Sequence, residues 1–148
     1  MIDPLMGYPG YLLRRASAAA MADLAGRLEL LNLRPSEATV LQIIDANPGA
    51  TQSDIGRLLD IASANMTPLA SRLEDRNLIE REAVDGRSHR LALTAAGRAL
   101  TARVKKAVAA HEAALLNRIP AAHRSAFLKG LRAIWSEDAD EPARTARG

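Results

Sequence analysis

Residues 51–94 read TQSDIGRLLD IASANMTPLA SRLEDRNLIE REAVDGRSHR LALT, and the order of local signals in this stretch decides the fold. Thr51-Gln52-Ser53-Asp54 opens it: a threonine cap followed three positions on by an acidic residue, the pattern that satisfies free N–H groups at a helix start. The short helix it opens carries Ile55, Leu58 and Leu59 and breaks near Asp60. A second helix spans about Ser63 to Arg76 and buries Met66, Leu69 and Leu73 at i, i+3 and i+7. Two short helices joined by a tight turn outline a helix-turn-helix. Beyond them, residues 78–82 and 89–93 are strand-like runs on either side of the turn dipeptide Asp85-Gly86, which predicts a β-hairpin.

Helical patterns flank this unit on both sides. Residues 10–32 place Leu24, Leu28 and Leu31 at i, i+4 and i+7, with Asn32 suited to the end. Pro35 fits the first position of a second helix, whose buried side is Val40, Leu41, Ile43 and Ile44 and which stops at Asn47-Pro48-Gly49. After the hairpin, a long helix over 94–118 aligns Leu100, Val104, Ala107, Val108, His111 and Leu115. Pro120 separates it from a last helix over 121–137 with Phe127, Leu131, Ile134 and Trp135. The expected fold is mainly α with a small β-hairpin wing. Its divisions are 1–34, 35–97 and 98–137, with a polar tail over 138–148. The terminal helices are too apolar to stand alone in water, so a two-fold dimer through 1–34 and 98–137 is expected.

Bulk properties remove several functional classes. The 148 residues contain no cysteine, which excludes disulfides, thiolate metal sites and thiol redox sensing. No apolar run is long enough to span a bilayer, and the N-terminus does not read as a signal peptide, so a cytoplasmic protein without membrane contact is expected. The net charge is only +3, so charge position rather than charge total must indicate a nucleic-acid partner. All but three of the 20 basic residues are arginines, which suit phosphates and guanine edges. An enzyme finds little support. His89, His111 and His123 are scattered, and His111-Glu112 begins a zinc-protease pattern whose second histidine is replaced by Leu115. With no phosphate loop and no nucleophile elbow either, no catalytic residue, metal or cofactor is assigned.

The combined pattern resembles the multiple-antibiotic-resistance regulator (MarR) family of bacterial winged-helix repressors. The likeness rests on Leu69–Arg81, on Asp85-Gly86-Arg87, and on Leu91-Ala92-Leu93-Thr94-Ala95-Ala96-Gly97, in that order and at matching separation. It covers roughly residues 11–136. Two positions depart from the family pattern. Asn77 stands where a glycine is usual, and asparagine is the next-best residue for a left-handed helix end. Pro68 lies inside the recognition helix, where it removes one backbone bond and tends to kink the axis.

The resemblance implies a sequence-specific regulator, a repressor that binds a pseudo-palindromic double-stranded DNA operator as a homodimer. With Met66, Leu69 and Leu73 turned inward, the DNA-facing side of the second helix is Ser63, Asn65, Thr67, Pro68, Ser71 and Arg72, whose small hydroxyls permit close approach to the major groove. The same face would serve a winged-helix module that binds protein and no DNA. The family places a wing-tip arginine in the minor groove with an aspartate orienting it. Those roles fall on Arg87 and Asp85, with His89 and Arg90 beside them; a solvated surface ion bridge is the alternative at that turn. Gly10–Ala16 resembles the first-helix start of members controlling aromatic-compound catabolism. That likeness implies an effector such as an aromatic carboxylate or an aryl-CoA thioester, bound by Tyr11, Arg14, Arg15 and His111; a dimer interface rimmed by arginines fits these residues too.

Overall fold

The computed structural model describes residues 3–83 and 89–135. In chain order they form α1 (Pro9–Glu29), α2 (Pro35–Ala46), α3 (Gln52–Leu58), α4 (Ser63–Asp75), β1 (Ile79–Ala83), β2 (His89–Leu93), α5 (Ala95–Asn117), a 3-10 turn (Ala121–His123) and α6 (Arg124–Trp135). β1 and β2 pair antiparallel with Ile79 opposite Leu93 and Ala83 opposite His89. Thr51 adds an antiparallel bridge to Arg90, so the segment before α3 lies along the outer edge of the hairpin. The chain divides into two compact units, Met1–His111 and Glu112–Gly148.

In the first unit the inward residues of every element meet in one core. Leu28 of α1, Val40, Leu41 and Ile44 of α2, Ile55 of α3, and Met66, Leu69 and Leu73 of α4 are buried together with Ile79, Leu91, Leu93 and Val104. This is the apolar stripe that the helical spacing predicts, and its removal from water is the main force holding α3 and α4 against the hairpin. Leu58, by contrast, is exposed on α3.

Three of the helices stop in the same way. Asn32, Asp60 and Asn77 adopt left-handed backbone at φ 54°, 51° and 54°. After each, the next N–H reaches back across the last turn: Leu33 to the Leu28 carbonyl at 3.1 Å, Ile61 to Gly56 at 2.8 Å, Leu78 to Leu73 at 2.9 Å. This is the Schellman arrangement, in which Asn and Asp substitute for glycine because their short polar side chains tolerate that conformation. The capping box at Thr51 also forms. Its hydroxyl accepts from the Asp54 N–H at 3.2 Å while its own N–H donates to Asp54 at 3.1 Å.

Three element boundaries differ from the sequence expectation. α1 ends at Glu29 rather than 32, because Asn32 turns the chain; Leu31 keeps its partly buried place from outside the helix. β1 begins at Ile79, since Leu78 serves the end of α4 and also accepts from the Thr94 N–H at 3.1 Å. The expected last helix is a 3-10 turn followed by α6, with the Arg124 side chain donating to the Ile119 carbonyl at 3.0 Å. Pro68 does not break α4, which is helical throughout Ser63–Asp75 with the proline on its exposed side.

The junction from hairpin to α5 is tightly built. The Thr94 hydroxyl donates to the Asn77 carbonyl at 2.7 Å and accepts from the Gly97 N–H at 2.9 Å, which caps α5 and ties it to the end of α4. A Cβ on Gly97 would lie 1.9 Å from the Leu78 carbonyl oxygen, so only glycine fits. The second unit includes the end of α5, the 3-10 turn and α6, on which Ile134 and Trp135 are exposed. Among the described residues no helix is long and apolar enough to cross a membrane.

Candidate nucleic-acid interface

α4 presents two chemically different sides. Met66, Leu69, Ala70 and Leu73 are sealed in the core, while Ser63, Ala64, Asn65, Thr67 and Pro68 stand exposed along the first half of the helix. Of the residues expected to face DNA, these four polar or cyclic side chains (Ser63, Asn65, Thr67 and Pro68) share one open surface. α4 carries no side-chain cap at Ala62, and its first turn is closed by the Asn65 N–H donating to the Ala62 carbonyl at 2.8 Å. The turn before it is held close by Gly56, where an added Cβ would sit 3.2 Å from the Ile61 carbonyl and against Met66.

Ser71 and Arg72 occupy a different setting. Arg72 Nε donates to Glu37 Oε1 at 3.2 Å, and Arg76 lies 3.9 Å from Glu37 Oε2. Glu37 is buried near the start of α2, where its carboxylate also accepts from the Arg34 N–H at 2.9 Å. One carboxylate therefore caps α2 and holds the second half of α4. Ser71 accepts from Arg81 at 3.0 Å, and the same guanidinium pairs with Glu74 at 3.2 Å, which fastens β1 to α4. These contacts fix the pitch of α4 relative to the hairpin and to α2.

A cleft of about 490 Å³ lies between α3 and α4, lined in part by Gln52, Ser53, Arg57, Ser63 and Met66. Across it, Gln52 Nε2 donates to Thr67 Oγ1 at 3.1 Å. On α3, hydrogen bonds from the Thr51 hydroxyl and then its N–H, with Arg57 at 2.6 Å, hold the Asp54 carboxyl below its ordinary value. On β2, His89 and Arg90 are exposed on the strand that leaves the wing. Asp85 and Arg87 lie outside the described residues.

The residues expected to hold an effector separate into two places. Tyr11 is flanked by Arg14 and Arg15, whose guanidinium carbons stand 5.3 and 5.8 Å from the ring centre. Its hydroxyl donates to Asp3 at 2.6 Å, which lowers the Asp3 carboxyl together with the Leu5 N–H. His111 is buried on α5, and its Nδ1 lies 2.7 Å from Asp23 of α1. Arg27 and then His111 draw the Asp23 carboxyl down to about 2. Asp23 is about 18 Å along the helix axis from Tyr11 at 1.5 Å per residue, so His111 does not join the Tyr11 cluster. A second cleft, of about 620 Å³, runs between α1, α2 and α4 beside Ala25, Gly26, Arg34, Glu37, Arg72 and Arg76. Among the described residues no group of three or more His, Asp or Glu is placed to hold a metal ion.

Sequence reasoning missed Glu37, Gln52 and Asp23. Glu37, two residues after Pro35, carried a readable capping signal. Its arginine partners, 35 and 39 positions away, carried none, and neither did the Gln52–Thr67 or Asp23–His111 pairs.

Comparison with known proteins agrees with this geometry. Residues 31–88 match the MarR family. The chain is 31% identical over 130 residues to the HTH-type transcriptional repressor Rv2887 of Mycobacterium tuberculosis, covering 86% of this chain and 94% of that protein. It is 28% identical over 142 residues to a putative transcriptional regulatory protein for the hcr operon of Thauera aromatica, covering 94% and 86%. Among solved structures, the transcriptional repressor CouR bound to a 23-mer DNA duplex is similar with a TM-score of 0.83 at 36% identity, over 92% of this chain and 98% of CouR. CouR bound to p-coumaroyl-CoA gives 0.82 at 35%, over 93% and 98%. Rv2887 in complex with salicylic acid gives 0.67 at 30%, over 85% and 95%. With 31% identity to Rv2887 over 86% of this chain, a family match over residues 31–88 and TM-scores of 0.83 and 0.82 to CouR, the chain belongs to the MarR family of winged helix-turn-helix transcription regulators.

Proposed function

We propose that this protein is a homodimeric repressor that places the first half of α4 in the major groove of a pseudo-palindromic operator. The observation that carries the reading is the exposed face Ser63–Pro68 on a helix whose opposite face is sealed in the core and whose far end is clamped by Glu37. Small side chains there allow the helix backbone to approach base edges, while the rigid mounting keeps its register. Likeness to CouR in its DNA complex supports the same use. Arg87 and Asp85 at the wing tip, with His89 and Arg90 behind them, would follow the adjacent minor groove. Residues 35–97 form the DNA-reading lobe. Segments 1–34 and 98–137 supply dimer contacts, in keeping with the exposed Leu12, Leu13 and Met21 on α1 and Leu128, Ile134 and Trp135 on α6. The role is regulatory and not enzymatic, and the protein acts in the cytoplasm.

The effector is an aromatic carboxylate or an aryl-CoA thioester. CouR binds p-coumaroyl-CoA and Rv2887 binds salicylic acid in their respective structures. In this chain the Tyr11 ring with two guanidinium groups beside it offers stacking and anion pairing together. Release from DNA requires that the ligand favour a lobe spacing that cannot reach both half-sites.

Band-shift titration of full-length protein on its operator tests the reading. Arg87→Ala should weaken binding and reduce the salt slope by about one phosphate contact. Addition of salicylate or an aryl-CoA should release the wild-type complex. No binding to any duplex would leave the protein-interaction alternative.

A further inference from the structure

Thr67 differs from the other helical threonines that show hydrogen bonds. Thr39 and Thr101 donate their hydroxyls to the carbonyl four residues earlier, at 2.9 Å from Pro35 and 2.8 Å from Gly97. That habit uses the hydroxyl proton inside the helix. On Thr67 the oxygen instead accepts from Gln52 Nε2 at 3.1 Å, a bond across the turn from α3 to α4. A hydroxyl has one proton and two lone pairs. With the Gln52 N–H on one lone pair, the Thr67 proton and its second lone pair remain for the exposed face. Thr67 thereby offers a hydroxyl proton with a methyl group beside it.

We propose that Gln52 is a positioning residue for base recognition: it sets the Thr67 hydroxyl as an outward donor, so that this position of α4 selects a thymine. This rests on the reading of α4 as the DNA-recognition helix. In the major groove a thymine presents an O4 acceptor next to its C5-methyl, which matches a donor next to a methyl. Adenine, cytosine and guanine lack that methyl, so each would match the hydroxyl alone and leave the Thr67 methyl without its partner. Gln52 is half-buried at the first position of α3 and reaches Thr67 across the turn between the two helices.

The test is selection of bound duplexes from a random-sequence pool by full-length wild type, Gln52→Ala, Gln52→Glu and Thr67→Val, followed by titration of single-base variants of the winning site. Wild type should show one thymine per half-site preferred by about tenfold, the usual scale of one specific contact. Gln52→Ala and Thr67→Val should both lower that preference to about twofold, leave the other positions unchanged, and cause no further loss when combined. Gln52→Glu turns the partner into an acceptor, so Thr67 donates inward and the preference should shift toward adenine or cytosine. Should Gln52→Ala weaken all sequences equally, or leave the thymine preference intact, the assignment is overturned while the DNA reading stands. Were wild type to enrich no sequence, the DNA reading would fall, and this assignment with it.

Discussion

Removing the Glu37 carboxylate should loosen α4 and destabilise the fold by a predictable amount. The side chain is 7% exposed and makes three contacts: the Arg34 N–H at 2.9 Å, Arg72 Nε at 3.2 Å and Arg76 at 3.9 Å. The Arg34 contact satisfies one free donor at the start of α2, a capping interaction of about 1 kcal/mol. A hydrogen bond between charged groups is worth about 1.5–3 kcal/mol when shielded. The Arg72 side chain is 44% exposed, so solvent screening reduces that term to about 1 kcal/mol. The Arg76 contact is long and adds little. Glu37→Ala should therefore lose about 2 kcal/mol, less than the ~3–5 kcal/mol of a fully buried broken pair, because water can reach the freed arginines. Glu37→Gln keeps an acceptor for one donor and should lose about half as much. Urea unfolding at a fixed protomer concentration measures both, with a midpoint shift of about 1 M for the alanine variant. A Glu37→Ala protein within about 0.5 kcal/mol of wild type, or a glutamine variant as damaged as the alanine one, would refute this apportionment.

Gly97→Ala should cost more than about 2 kcal/mol or prevent folding, because the new methyl meets the Leu78 backbone and neither Leu78 nor Thr94 is free to move; thermal unfolding reads it, and a tolerated alanine would contradict the account of the junction. The Asp23 carboxyl, held at about 2 against an ordinary 3.8, adds stability that is complete above 3.8 and lost as pH falls through 2. Stability measured from pH 5 to pH 2 should therefore decline, and Asp23→Asn should make the decline shallower, with Asp3 and Asp54 accounting for part of what remains. Pro68→Ala restores a donor to the middle of α4 and should stabilise the protein by about 1–3 kcal/mol; a less stable variant would show that the local geometry favours proline.

What the sequence disclosed follows from how far apart the interacting residues lie. The Thr51–Asp54 cap, the left-handed ends at Asn32 and Asn77, and the Met66–Leu69–Leu73 stripe are interactions within a turn or two, and the residue types announce them. Pro68 suggested a kink in the recognition helix, and α4 stays helical through it, because the apolar packing of Met66, Leu69 and Leu73 outweighs one absent hydrogen bond. Leu78 looked like strand; its N–H closes the end of α4 on Leu73 and its carbonyl accepts from the distant Thr94, so it joins α4 to the start of α5 instead. Among the candidate site residues, the exposed first half of α4 was legible from periodicity alone. The Glu37 clamp on Arg72 and the Gln52 bond to Thr67 were not, because a buried carboxylate or an amide carries no periodic signal of its distant partner.

The central claim is that α4, mounted on this core, reads a specific DNA sequence. Its most direct test is equilibrium binding of the full-length protein to a duplex selected from a random pool, with random-sequence DNA as competitor at fixed salt. The account predicts that the selected duplex binds at least about a thousandfold tighter than the competitor and holds two protomers. Equal displacement by random DNA, or no binding to any duplex, would contradict it.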